Sequence, residues 1–167
     1  MIDAIPMLGP VLTGIEQSAL GTAVRMTPQL YPILESLHIL GIGLLVGPAV
    51  AVDMRLLGLG GRSIPVSTVL RHLLPLCYAG FALAGVSGLM MFSGIALAVG
   101  QSAAAPWKLG LILLGALNIA VFHRGIHRSV ASWDRAPVPP RRARIAGAAS
   151  ALVWTGVIVA GRYLAYV

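Results

Sequence analysis

Residues 30–57 read LYPILESLHILGIGLLVGPAVAVDMRLL. A helix rises ~1.5 Å per residue and a bilayer core is ~30 Å thick, so about 20 mostly apolar residues suffice to cross it. This stretch exceeds that length, and its charged residues, Glu35, Asp53 and Arg55, keep toward its two ends. Pro28 and Pro32 bracket its start, and Gly58, Gly60 and Gly61 follow its end. Those residue types open and stop helices. Pro48 is expected to kink the middle.

Three further stretches have the same character: residues 73–99, 107–127 and 145–163. The second apolar run opens after Pro65, with Ser67 or Thr68 able to cap it, and is longer than the bilayer requires. Its first two turns should protrude into water or tilt, with Pro75 near that boundary. Pro106 announces the third run, and Trp107 and Lys108 anchor it at the interface. Residues 128–144 read as a cytoplasmic loop, since Pro137, Pro139 and Pro140 oppose helix there. Before the first span, residues 11–26 place Val11, Leu12, Ile15, Ala19 and Ala23 apart from Glu16, Gln17 and Arg25. That pattern predicts a short amphipathic helix on the outer membrane surface. The first residues lack a basic n-region and a cleavage site, so the N-terminus reads as mature. The fold class is therefore an all-α integral membrane protein, a bundle of four transmembrane helices in a single membrane domain with an N-terminal amphipathic helix.

Composition agrees. Of 167 residues, 57% are hydrophobic and 10% charged, too little polar surface to cover a soluble globule. The formal charge of +7 does not indicate nucleic acid, because the basic residues lie between apolar runs and are not interleaved with aromatics. Arg55, Arg62 and Arg71 fall between the first and second spans, and Arg124, Arg128, Arg135, Arg141, Arg142 and Arg144 between the third and fourth. Arg25, Lys108 and Arg162 fall on the other side. The positive-inside rule then predicts a bacterial inner membrane protein with both termini on the periplasmic side. Cys77 is the single cysteine and reads as a buried thiol. Gly43 with Gly47, Gly80 with Ala84 and Gly88, and Gly156 with Ala160 read as close-packing seams.

The segment Tyr31-Pro32-Ile33-Leu34-Glu35-Ser36-Leu37-His38-Ile39-Leu40-Gly41, followed by Asp53-Met54-Arg55-Leu56-Leu57-Gly58, resembles an uncharacterised family of small bacterial four-helix inner-membrane proteins. Glu16, Arg25, Lys108, Asn118, Phe122 and His123 also fall where that family's pattern places them, so the resemblance covers most of the chain; the loop before the fourth span departs most. The resemblance implies the fold and brings no activity. A His near the outer end of the first span, with a Lys and an Asn in a later one, is more weakly similar to the copper-resistance D membrane domain.

Ionisable groups in hydrocarbon are costly, which makes each a candidate for function. Glu35 and His38 share a helix face with Tyr31 and can hold a metal or a haem-ligating imidazole, or relay protons to a quinone. Equally, they can bond each other, Arg25 or Arg162 and lock helices together. His123 and His127, one turn apart, can chelate a metal, although Arg124 and Arg128 beside them repel a cation. Counting ~1.5 Å per residue puts His38 about 10 Å and His123 about 24 Å below the outer face, a poor geometry for a shared haem. His72 is the alternative partner for His123 or His127. Glu16, Arg25, Asp53, Arg55, Lys108 and Asn118 read as structural polar residues.

Two functions follow. One is a non-catalytic accessory or assembly subunit of a larger membrane complex, or a homo-oligomer joined through the glycine seams. The other is a redox or metal-handling protein that binds haem b, copper or quinone through intramembrane His and Glu. The sequence contains no nucleophile and base pair, no phosphate-binding loop and no cysteine pair, so enzyme activity has little support.

Overall fold

The computed structural model describes residues 8–59, 64–164 and 166. Arg62, Gly60, Gly61 and the leading stretch read above for a signal lie outside them. In chain order the helices are α1 (Leu8–Gln17), α2 (Ala19–Met26), α3 (Leu30–Leu57), α4 (Val66–Gly94), α5 (Ala96–Gln101), α6 (Ala104–Arg124), α7 (Val130–Trp133) and α8 (Arg141–Leu164), with a 3-10 turn at Ile126–Ser129 before α7. Among the described residues four helical segments are long and apolar enough to cross a membrane: α3, α4, Ala104–Trp133 and α8. The protein is an all-α, multi-pass membrane bundle.

Several boundaries differ from expectation, each for a local reason. The amphipathic segment is two helices, because Ser18 leaves helical geometry and its side chain accepts the Gly21 N–H. α4 starts at Val66 and runs through Pro75. The carboxylate of Asp134, in the loop before α8, supplies its cap by accepting from the Ser67 N–H (2.7 Å) and the Ser67 hydroxyl (2.8 Å). α4 then stops at Gly94 instead of continuing to 99. Gly125 ends α6 before His127, with its N–H on the Val121 carbonyl, and the turn beyond it carries Ile126, Val130 and Trp133 into the core. α8 begins at Arg141, four residues early, because the Pro140 carbonyl accepts from Ala143 and Arg144 and Ala143 is buried.

The spans form an arc in which α4 packs on α3, α3 on α8 and α8 on α6. α4 and α6, the two ends of the arc, do not pack along one another. The α3–α4 seam is built on Gly41, Gly80 and Ala84. A Cβ at Gly41 would lie 2.6 Å from the Ala84 nitrogen, and one at Gly80 would strike the Leu45 backbone. Gly43 and Gly47 face open space and form no seam; Gly88 lies against the His38 ring, and Gly156 against the Leu111 side chain.

The core sits at the arginine-rich end, where Val52, Leu56, Val66, Leu70, Phe122, Trp133 and Ala143 pack together. Arg55, 4% exposed, ties that end by donating to the Ile64 and Asp134 carbonyls. At the other end α2 buries Gly21 and Val24 against the end of α4. There Glu16 and Arg25 pair at 3.8 Å. Glu16 accepts the Leu97 N–H and Arg25 reaches the Gly94 carbonyl, so the pair holds the break between α4 and α5.

Candidate functional site

The arc of helices leaves an apolar interior that no side chain fills. A cavity of about 290 Å³ lies among α3, α4, α6 and α8, at the small end of the range of ligand sites, ~300–1,000 Å³. Most of its wall is aliphatic or aromatic, with Leu45, Leu74, Phe81, Ile112, Ile119 and Trp154 contributing. A few polar groups also line it: Asp53 from α3, Tyr78 from α4, Asn118 and His123 from α6, and Ser150 from α8. An apolar slot with few convergent polar groups is the usual character of a small-molecule site.

Asp53 is the unusual member. It is 4% exposed, and its Oδ2 is buried with no hydrogen-bond partner. Ser150 stands beside the carboxyl, and the backbone of Asp53 packs against Gly147 of α8, which fixes it at the α3–α8 junction. An unsatisfied carboxyl oxygen in a low-dielectric interior costs at least ~1–3 kcal/mol.

His123 closes the opposite side of the arc. Its Nδ1 lies 2.9 Å from the Ile119 carbonyl, which can only accept, so in the neutral ring Nδ1 carries the proton and Nε2 accepts. That Nε2 is 3.2 Å from the Tyr78 hydroxyl, which donates to it across from α4. Asn118 donates to the Ala146 carbonyl of α8 and secures α6 beside the cavity.

No protein-family model, curated protein or solved structure matches this chain. What the cavity can hold therefore follows from its own geometry.

The remaining candidates are dispersed. His38 places Nδ1 2.8 Å from the Ala84 carbonyl and 3.3 Å from the Ser87 hydroxyl, with its ring against Gly88, so it is wedged in the α3–α4 seam. It engages α4 and not Glu35, which is exposed. His72 is exposed, and its Nδ1 bonds the Thr68 carbonyl of its own helix. Tyr78 is the α4 side chain that reaches His123. The His123 and His127 rings lie 5.0 Å apart, with Phe122 within 5.6 Å of both. Among the described residues no three His, Cys, Asp or Glu side chains come together as a metal site. Of the four histidines only His123 lines the cavity, so the paired imidazoles of a haem b are not assembled there. Lys108 lies beside Gly161 of α8.

In the sequence Asp53 and Asn118 read as structural polar residues, and neither Tyr78 nor Ser150 stands out. A tyrosine in the middle of a span, away from the interfacial belts where it is usual, was the available signal. Ser150 carries none.

Proposed function

We propose that this protein binds a lipid-soluble small molecule with an oxygen-bearing ring, of the quinone class, inside its bundle. We also propose that it does so in a bacterial inner membrane with its arginine-rich end in the cytoplasm, like the small four-helix proteins it resembles. The observation that carries the reading is Asp53 Oδ2, buried without a partner on the wall of the cavity. A carboxyl group accepts a hydrogen bond when ionised and donates one when protonated. It therefore suits a head group that alternates between C=O and C–OH. Tyr78 and His123 offer a second polar station from the far side of the arc, and the apolar wall between them suits a ring and the start of an isoprenoid tail.

The accessory role is the second reading, favoured by a row of exposed apolar side chains along α6. Leu109, Leu113, Leu117 and Val121 recur every fourth residue and are each more than half exposed. Lipid or a partner helix can cover such a row.

Purified protein in lipid nanodiscs should show quenching of Trp154 fluorescence on titration with decylubiquinone. Trp154→Phe should remove the signal and Asp53→Ala should weaken binding about tenfold, the loss of one charge-assisted hydrogen bond. A flat titration of the unaltered protein, together with a solvent extract free of quinone, would defeat the ligand reading; co-purification with a membrane complex would then support the accessory one. A Soret band in the purified protein would replace quinone by haem.

A further inference from the structure

We infer that the occupant of this cavity passes in sideways from the bilayer, through the cleft between α4 and α6, and that the Tyr78–His123 hydrogen bond is the latch across that cleft. The identity of what passes rests on the ligand-site reading above; the existence of the passage does not.

The helix arc makes the cleft. α3 and α8 form the back wall, where Asp53 sits, while α4 and α6 flank the front without packing on each other. Three residues line the cavity and are exposed at the same time: Tyr78 (50%) and Phe81 (47%) on α4, and Ala116 on α6. Side chains that belong to both an interior wall and an outer surface mark a mouth. The mouth therefore lies between α4 and α6, with the small Ala116 leaving room on one lip.

Its depth decides what it opens onto. Tyr78 stands seven residues beyond Arg71, an exposed residue at the arginine-rich end of α4, which is roughly 10 Å along the helix axis. Phe81 and Ala116 lie deeper still. The lips at Phe81 and Ala116 thus face hydrocarbon, where a molecule dissolved in lipid meets them without crossing an aqueous phase, while the latch stands nearer the boundary because His123 adjoins the exposed Arg124.

One hydrogen bond spans this front among the described residues, from the Tyr78 hydroxyl to His123 Nε2 at 3.2 Å. The Ile119 carbonyl holds the His123 ring through Nδ1, so the acceptor is fixed and the tyrosine is the moving part. In this proposal a rotation of the Tyr78 side chain releases the bond, with the backbone of α4 and α6 left in place.

Cys77 reports on this passage without any knowledge of the ligand. It is the single cysteine, it is 7% exposed, and it lines the cavity behind Tyr78. Protein in lipid vesicles is treated with phenylmercuric acetate, which partitions into lipid, or with p-chloromercuribenzenesulfonate, which stays in water, and mercuration is followed by intact mass. The lipid-soluble reagent should label the unaltered protein and the charged one should not. Tyr78→Phe, which keeps the ring and removes the latch, should label roughly three- to tenfold faster, the loss of one neutral hydrogen bond. Ala116→Trp, which fills the mouth, should slow labelling at least tenfold. Equal rates for the two reagents would show that the cavity opens to water. A Tyr78→Phe rate equal to that of the unaltered protein would remove the latch, and this holds even if Ala116→Trp fails to fold. Failure of decylubiquinone to bind, with these rates as expected, would refute the ligand and leave the passage standing.

Discussion

Gly41 and Gly43 lie two residues apart on α3, and the structure gives them opposite fates on replacement by alanine. At Gly43 a Cβ would meet nothing within 4 Å, so Gly43→Ala should be neutral or gain up to ~1 kcal/mol of helix propensity. At Gly41 the same atom would stand 2.6 Å from the Ala84 nitrogen and 3.0 Å from the Gly80 oxygen, both backbone atoms with no rotamer to relieve them. Reaching an ordinary contact of 3.4 Å requires α3 and α4 to part by 3.4 − 2.6 = 0.8 Å. If roughly 30 atom pairs along the seam, each worth ~0.15 kcal/mol, lose about a third of their attraction, the loss is about 1.5 kcal/mol. Strain from bending the helices apart brings the expected cost of Gly41→Ala to about 2 kcal/mol, within the usual range for overpacking. Unfolding by SDS of the protein in mixed micelles, followed by far-UV circular dichroism, reads both variants on one scale. Equal midpoints for Gly41→Ala and Gly43→Ala would refute the backbone seam and the arc of helices built on it.

Other consequences concern the two ends of the bundle. Arg55→Lys should cost about 2 kcal/mol in the same unfolding assay, because one ammonium cannot reproduce the fork that reaches both the Ile64 and Asp134 carbonyls and the site is buried. Asp134→Ala should cost about 1 kcal/mol at neutral pH, the usual loss of a helix cap. The Ser67 N–H, then the Ser67 hydroxyl and the charges of Arg135 and Arg55, hold the Asp134 carboxyl below its ordinary value of 3.8. Its contribution is thus complete above that value and fades as pH falls through the lower folded value. The gap between Asp134→Ala and the unaltered protein should narrow when unfolding is measured near pH 3, and a constant gap would exclude the cap. Glu16→Gln should loosen the α1–α2 hairpin by a few tenths to 1 kcal/mol, seen as faster limited proteolysis near residue 18, since its pair with Arg25 is only partly buried.

The spans were legible because lipid imposes one rule, a run of about 20 apolar residues, and α3 from Leu30 to Leu57 obeys it to the residue. Boundaries set by distant partners were not. The start of α4 depends on Asp134, 67 positions along the chain from Ser67, and its end on the Glu16–Arg25 pair, and no local pattern announces either. The glycine spacing was visible, but helix rotation decides which glycines face a neighbour, so Gly41 with Gly80 forms the seam and Gly43 with Gly47 does not. The ionisable groups stood out one by one in the sequence. Their grouping did not, because α3, α4 and α6 bring Asp53, Tyr78 and His123 to one cavity while His38 is spent on the α3–α4 seam.

The two aspartates outside the N-terminal stretch differ in how far the protein satisfies them. Asp134 sits in a loop with each oxygen bonded to Ser67, and its charge is useful where it is, at the start of a helix. Asp53 is buried four residues from the end of α3, with Ser150 of α8 beside the carboxyl but no partner for Oδ2, and leaving that oxygen open costs ~1–3 kcal/mol. An apolar side chain of similar volume at this place would line the same cavity wall and carry no such cost. Donors elsewhere in the chain reach the carboxyls of Asp134 and Glu16, whereas Asp53 Oδ2 receives none. The polar groups described above at the seams and ends of this bundle, Asp134, Glu16, Arg25, Arg55 and His38, find partners within the chain. Among the described residues Asp53 Oδ2 is a buried side-chain oxygen without such a partner, and it lines the apolar cavity of about 290 Å³, which is the ground on which a quinone-class ligand is proposed.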